Sequence, residues 1–233
     1  MMNNTLYWFY ECDNPSCGLR FPGYEGAPRW NRCPVCRSNT HKVARVTAAL
    51  QASDRISSEK TWQIEALLDN IRSAWNVGSI FRTADGIGVR KIHLCGITPT
   101  PENPKMGKTA LGAESSVPWE HSNNGVNTAC TLISRGYKLW VLEDLTGAIP
   151  LFTINDLLPD APLVLVAGNE VCGVDPGIIE LSDRVISIPM LGKKQSHNVA
   201  IAFGIAASFL VYQLSSGARG SPMDHARYFQ GPD

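Results

Sequence analysis

The sequence predicts an α/β protein, a parallel sheet with helices on both faces, preceded by a small cysteine-rich unit. Two observations carry this. Between residues 61 and 214, short continuous apolar runs alternate with stretches of helical spacing, the pattern of strand–helix repeats in a parallel sheet. Residues 1–45 hold four of the seven cysteines and lack long apolar periodicity. At 233 residues, 44% hydrophobic and 18% charged, the chain has room for one sizeable domain and one small one.

The small unit comes first. Cys12-x4-Cys17 is followed after fifteen residues by Cys33-x2-Cys36, with Pro15, Gly18 and Pro34 beside the cysteines. Two such pairs on tight turns are what a tetrahedral thiolate site needs, so Cys12, Cys17, Cys33 and Cys36 are the expected ligands of a structural Zn2+. So short a stretch cannot bury a core alone, and the metal would supply its folding free energy. Four thiolates leave no open coordination position, so the metal is not expected to be catalytic. Disulfides fit poorly with a chain that carries no secretion signal. Cys95, Cys130 and Cys172 lie in or beside apolar segments and read as buried packing residues.

The unit is also basic. Arg20, Arg29, Arg32, Arg37, Lys42 and Arg45 face only Glu11, Asp13 and Glu25, whereas the whole chain has a net charge of zero. With Trp30 nearby, this gives either a surface for RNA or a ribbon that only packs or dimerises. Residues 46–60 are polar and low in bulky side chains, the composition of a linker.

In the main domain, spanning 61–214, the expected strands are 64–70, 91–96, 138–144, 162–168 and 184–190. Their apolarity is continuous rather than alternating, as in strands covered on both faces. Helical spacing covers Val77–Gly86, Asn123–Gly136, Pro176–Ser182 and Asn198–Leu214. The 97–118 segment reads as a long loop in which Lys105, Lys108, Thr109 and Glu114 are available to touch RNA. Residues 215–233 form a loosely ordered tail. The longest apolar stretch, Val199–Leu214, includes Gly204, Ser208, Tyr212 and Gln213 and is too short to cross a bilayer. The N-terminus has no basic or apolar signal region. A cytoplasmic protein without a membrane partner is expected.

Two familiar nucleotide signatures are missing. There is no G-x-x-x-x-G-K-[ST] run. Gly86-Ile87-Gly88 closes a helix instead of opening one, which is the wrong placement for a dinucleotide fingerprint. Three other segments carry polar residues against apolar ones. In the first, at 70–85, Asn76 is read as the N-cap of a helix starting at Val77, with Arg72 and Arg82 gathered near one helix end. In the second, at 163–174, a buried strand ends at Gly168 and Asn169 and Glu170 emerge at its carboxyl edge, where open α/β sheets bind ligands. Glu170 is either a site carboxylate or a turn or capping residue. In the third, at 186–200, a strand enters a basic Gly-containing loop, and Ser196 is read as the cap of an Ala-rich helix.

In order and spacing, these segments resemble the three signature motifs of the SPOUT superfamily, specifically its TrmH-type ribose methyltransferases. The matches are N-x-R-x3-N-x-G-x-I-x-R-T at 70–83, V-x-G-N-E-x-x-G at 166–173, and I-P-M-x-G-x-x-x-S-x-N-V-A at 188–200. The resemblance implies a C-terminal deep trefoil knot and methyl transfer from S-adenosylmethionine to a ribose 2′-hydroxyl of tRNA or rRNA. It implies a homodimer through the knotted domain, with the active site at the subunit interface.

By the same resemblance, Arg82 would be the catalytic arginine and Asn76 its companion, with Glu170, Ser196 and Asn198 completing the pocket. The cofactor would lie against Leu142, Glu143, Ala167, Gly168, Ile188, Met190, Leu191, Ser196, His197 and Asn198. A guanidinium stays protonated near neutrality, so Arg82 would hold a phosphate or a developing alkoxide instead of taking a proton. One departure stands out. The family has Leu where this chain has His197, which is either a tolerated loop substitution or a group that touches the cofactor or acts as a base. The alternative reading is a non-catalytic RNA-binding protein with a methyltransferase-like fold and a zinc ribbon. Retention of Asn76, Arg82, Glu170, Ser196 and Asn198 argues against it.

Overall fold

The computed structural model describes residues 6–45, 63–154, 161–194 and 196–217, with side chains of the last helix described to Leu214. The expected linker at 46–60 lies outside the described residues, as does the expected tail of 215–233 from 218 on; residues 215–217 are not loose but continue the last helix. The chain divides into two compact units, Met1–Ser58 and Glu59–Asp233.

The first unit is a three-stranded antiparallel sheet in the order β2-β1-β3, with β1 Tyr7–Cys12, β2 Arg20–Tyr24 and β3 Thr40–Arg45. Side chains alternate across β1, so Tyr10 and Cys12 are buried while Tyr7 and Phe9 stay exposed. The connections out of β1 and into β3 carry the two cysteine pairs.

The second unit is built on seven parallel strands in the order β6-β5-β4-β9-β7-β10-β8. These strands are β4 Ile64–Asp69, β5 Ile92–Cys95, β6 Trp119–Ser122, β7 Lys138–Leu142, β8 Ile149–Pro150, β9 Leu163–Ala167 and β10 Arg184–Ser187. Every residue of β4, β5 and β9 is buried, as the continuous apolar runs require of central strands covered on both faces. β6 and β8 lie at the two edges. Their sequences, Trp-Glu-His-Ser and Ile-Pro, lack the apolar run of a buried strand, which is why neither is expected from periodicity.

Helices cover both faces. α1 Ala74–Ile87, α2 Gly107–Ala110, α3 Ala113–Ser116 and α6 Val199–Gly217 pack on one side, over Ala66, Leu68, Leu94 and Leu165. α4 Gly125–Ser134 and α5 Pro176–Leu181 cover the other, over Leu67, Leu139, Val141 and Val166. α1 stops at Gly88, which takes φ +80° and returns its N–H to the Ala84 carbonyl, a left-handed cap that glycine adopts without strain. Gly78 lets α2 approach α1 closely, because a Cβ there would lie 2.2 Å from Thr109 Oγ1 and 2.6 Å from the Met106 carbonyl oxygen.

Two further expectations need correction. The 97–118 segment is not a plain loop: it folds into α2 and α3 and buries Met106, Ala110 and Ala113 in the core. Lys105, Lys108 and Glu114 are carried on that packed element, with Thr109 donating to the Trp75 carbonyl at 3.1 Å. Cys95 is buried, but Cys130 and Cys172 are exposed. Cys130 falls between Ala129 and Leu132, which turn α4's buried face inward, and Cys172 lies on the loop after β9. Among the described residues, no helix is long and apolar enough to cross a membrane.

The sheet also encloses a cluster of polar side chains. His93 is 1% exposed, and its two ring nitrogens each lie 2.7 Å from a carboxylate, Nε2 from Glu65 and Nδ1 from Glu120. Tyr137 donates to the other Glu65 oxygen at 2.7 Å, and Lys91 to Glu120 at 2.7 Å. Burial pushes the Glu65 carboxyl up, yet the hydrogen bonds from His93 and Tyr137 outweigh it and hold the group below the usual range.

Candidate active site and candidate metal centre

The carboxyl ends of β4, β7, β9 and β10 meet the start of α6, and there a chain of side-chain hydrogen bonds ties distant segments together. Glu170, just beyond β9, accepts from the backbone N–H of Arg72 at 2.8 Å and of Ser73 at 3.1 Å. It also accepts from Asn76 Nδ2 at 2.8 Å. Asn76 Oδ1 then accepts from Asn198 Nδ2 at 3.1 Å. Asn198 Oδ1 in turn accepts from the N–H groups of Ala200 at 3.0 Å and Ile201 at 3.4 Å. Each amide has only one chemically consistent orientation, because an ionised carboxylate can only accept and the first N–H groups of a helix can only donate.

Glu170 is exposed. Desolvation alone would raise its carboxyl, but the N–H of Arg72, the Asn76 amide and the N–H of Ser73 together hold it below the usual range. An anion so held suits fixing a loop better than accepting a proton.

Two helix starts differ from expectation. α1 begins at Ala74, and its cap is Ser73, whose Oγ accepts from the Asn76 N–H at 3.3 Å. Asn76 is not the cap; it lies within the first turn, and its side chain is committed to Glu170 and Asn198. α6 begins at Val199, and Asn198, not Ser196, supplies the oxygen that meets its first N–H groups. In both cases two cap-forming residues stand close together, and the long-range partner decides between them.

The loop after β9 is fixed at several points. Asn169 Nδ2 donates to the Asn70 carbonyl at 2.7 Å, and Asn169 Oδ1 accepts from Val171 at 2.9 Å and Cys172 at 3.1 Å. Asn70 has φ +56°, a region that Asn enters more readily than most residues, and its Oδ1 accepts from the Ile97 N–H at 3.2 Å. Gly168 is required by closeness, since a Cβ there would lie 2.4 Å from the Val174 nitrogen and 2.5 Å from the Gly173 carbonyl carbon. Asp69 is 2% exposed and accepts from the Asp175 N–H at 3.0 Å, and burial pushes its carboxyl up. Asn70 and Asn169 fall within the sequence motifs, but their bracing of loops after β4, β5 and β9 is not readable from them.

A cavity of about 450 Å³ opens beside this network, a volume suited to a small cofactor. Leu142, Glu143, Ala167, Gly168, Ile188, Met190, Ser196, His197 and Asn198 line it, as does Glu170. Leu191 does not: it is fully exposed at 100%. Asp144, Asn169, Val171, Gly173, Ser187, Val199 and Ala202 complete the wall. Asn76 stands one hydrogen bond behind Asn198. Arg82 is exposed on α1 and is not part of the cavity wall. Six residues of helix separate it from Asn76, roughly 9 Å along the axis, so the two do not gather at one helix end.

In the first unit, the Sγ atoms of Cys12, Cys17, Cys33 and Cys36 all lie within 4.8 Å of one another. Cys12 and Cys36 are 3.3 Å apart, and Cys17 and Cys33 are 3.7 Å apart. Sulfurs about 2.3 Å from a central ion at tetrahedral corners would be about 3.8 Å apart, whereas a disulfide needs about 2.05 Å. The donor set therefore fits a zinc ion. The two pairs are held alike. Gly18, after Cys17, takes φ +56°, with its N–H bonded to the Asn14 carbonyl at 2.9 Å. Arg37, after Cys36, takes φ +65°, with its N–H bonded to the Cys33 carbonyl at 3.0 Å.

Comparison with known proteins gives the second unit a family. The SpoU rRNA Methylase family matches residues 63–208. The 23S rRNA (guanosine-2′-O-)-methyltransferase RlmB of Neisseria meningitidis is 33% identical over 143 residues, 61% of this chain and 55% of that protein. The tRNA (guanosine(18)-2′-O)-methyltransferase of Aquifex aeolicus is 31% identical over 140 residues, 59% of this chain and 63% of that enzyme. The chain thus spans less than two thirds of the length of either relative. Among solved structures, the SpoU methyltransferase AviRb of Streptomyces viridochromogenes, in complex with the cofactor AdoMet, aligns with a TM-score of 0.61 and 25% identity. That alignment covers 78% of this chain and 71% of AviRb.

Proposed function

The chain belongs to the SpoU rRNA Methylase family, and on that premise we propose that it transfers a methyl group from S-adenosylmethionine to a ribose 2′-hydroxyl of structured RNA, tRNA or rRNA. The single observation that carries this reading is the Glu170–Asn76–Asn198 chain, which joins the three motifs along one wall of the 450 Å³ cavity.

The cofactor supplies a methyl group on a positively charged sulfur, transferred in line without a metal. The protein's task is then positioning and electrostatics. Leu142, Ala167, Gly168, Ile188 and Met190 line the cavity, and Ser196, His197 and Asn198 close it from the α6 side. Glu170 acts as a positioning residue: it holds the Arg72–Asn76 turn, and through Asn76 it orients Asn198. The Glu143 carboxylate braces the far wall by accepting from the Val174 N–H at 3.1 Å.

Arg82 stands outside its own chain's cavity and is proposed to hold an RNA phosphate or the developing alkoxide where two copies meet. α6 supports such a homodimer. Ile201 is 57% exposed and Tyr212 45% exposed on a helix whose other side already fills the core. A deep knot formed by the last third of the domain, a structural Zn2+ on Cys12, Cys17, Cys33 and Cys36, and a cytoplasmic location belong to the same proposal.

Mass-spectrometric mapping of ribose methylation tests the reading, using total RNA incubated with the protein and S-adenosylmethionine. New 2′-O-methyl nucleotides at discrete positions are expected. Methylation confined to bases, or none, would contradict it.

A further inference from the structure

The sheet of the first unit has two unlike faces. On one, Tyr10 and Phe21 stack with centroids 5.9 Å apart, and Trp30 closes on Phe21 at 6.0 Å. The other face carries Tyr7, Phe9 and Glu11 of β1, with their cross-strand neighbours Pro22 and Arg20 of β2 and Ala44 of β3. Here Tyr7 is 51% and Phe9 37% exposed, a large apolar outlay for so small a unit.

Cations accompany these rings. On this face the Arg20 guanidinium lies 5.9 Å from the Phe9 centroid, whereas Lys42 Nζ lies 5.0 Å from that of Trp8 on the opposite face. At the sheet edge, Arg29 covers Trp30 at 4.2 Å and Tyr24 at 5.4 Å. Among the described residues of the unit the three carboxylates are already engaged: Glu11 by Arg20 at 4.0 Å, Asp13 by His41 at 2.7 Å, and Glu25 by Lys42. Arg29, Arg32 and Arg37 make no salt bridge among the described residues. Arg32 and Arg37 flank the Cys33–Cys36 turn, with an Arg32 guanidinium N–H donating to the Arg37 carbonyl at 3.4 Å. Arg29 is left to the aromatic edge.

An occupant of this face must offer flat rings to the aromatics and negative charge to the guanidinium groups. An unpaired RNA segment offers both, because its bases can splay out to stack while its phosphates pair with arginine. A duplex hides its base faces, and an apolar protein surface would leave the guanidinium groups unmatched.

We propose that Tyr7 and Phe9, with Arg20 and Arg29, form a stacking platform for a single-stranded segment of RNA. This rests on the reading of RNA as substrate. It extends that reading by separating the residues that hold RNA from the cavity where the methyl group would be transferred.

Fluorescence anisotropy on the zinc-loaded full chain tests this. The probes are a labelled single-stranded oligoribonucleotide of roughly ten nucleotides and a duplex of the same length. Tighter binding of the single strand is expected. Phe9→Ala and Tyr7→Ala should each weaken it roughly tenfold, and Arg29→Gln should reduce the slope of log affinity against log salt by about one. Zinc content reports folding of the unit; if Phe9→Ala releases metal, Phe9→Leu replaces it. Unchanged affinity in zinc-retaining variants, or equal affinity for duplex and single strand, would overturn the platform. So would variants that alter self-association in sedimentation while leaving RNA binding intact, since the face would then serve a protein contact. S-adenosylmethionine titration keeps the two readings separable: absent cofactor binding by the unsubstituted chain would count against methyl transfer, and unchanged RNA affinity in variants that still bind cofactor would count against the platform.

Discussion

Glu170 and Asn76, 94 residues apart in sequence, meet at 2.8 Å, and this contact joins the loop after β9 to the first turn of α1. Glu170→Gln keeps the shape, but only one of the two oxygen positions can still accept, and the new NH2 opposes either the Arg72 N–H or the Ser73 and Asn76 donors. A loss of about 1 kcal/mol in stability is expected, modest because the group is exposed. The pH dependence has a definite sign. Because the folded-state pKa is depressed, the stabilisation by Glu170 is fully present above its unfolded pKa of about 4.3 and fades as pH falls through the folded value. Urea unfolding of both proteins at several pH values should therefore show the gap between them narrowing in acid.

Asn198→Asp separates capping from orientation. Asp caps a helix as well as Asn does, so α6 should hold and the thermal midpoint should change by only a few degrees. The new carboxylate, however, would face Asn76 Oδ1, which cannot turn away without losing Glu170. Methyl transfer and cofactor affinity should fall at least tenfold, read by calorimetry and a tritium-transfer assay. Equal loss in Asn198→Asp and Asn198→Ala is expected for function but not for stability.

Arg82→Ala should leave thermal stability and cofactor affinity unchanged, because the side chain is exposed and outside the cavity. Methyl transfer should nonetheless drop by two orders of magnitude or more, on the scale of losing a charge-stabilising donor. Near wild-type methylation would remove Arg82 from the mechanism.

The two cysteine turns differ in one testable respect. Arg37 occupies the left-handed region that Gly18 fills in the other turn. Arg37→Gly should be neutral or stabilise the ribbon by about 1 kcal/mol or less, whereas Arg37→Val should cost about 1–2 kcal/mol. Resistance of bound zinc to chelator reports both. Complete chelation should release one zinc per chain and abolish amide protection across 6–45. Cofactor binding by the second unit should survive.

The buried strands and the identity of the motif residues are legible in the sequence because both are local. A run such as Leu163–Ala167 is buried whatever surrounds it, and the cysteine spacing anticipates the gathering of four sulfurs. Roles set by distant partners are not legible. Asn76 and Ser73 are equally plausible caps until Glu170 is seen to claim the Asn76 amide; Ser196 and Asn198 pose the same ambiguity, resolved by the bond to Asn76. The Trp119–Ser122 strand is hidden because an edge strand needs no apolar run. Cys130 misleads because α4 turns it outward between Ala129 and Leu132. The bracing by Asn70 and Asn169 depends on a left-handed backbone and contacts 99 residues apart.

If the Glu170–Asn76–Asn198 chain shapes a cofactor cavity, calorimetric titration with S-adenosylmethionine should show one binding event per chain in the wild type, weakened at least tenfold in Asn198→Asp. No binding by the wild type would contradict that reading and favour a non-catalytic RNA-binding protein.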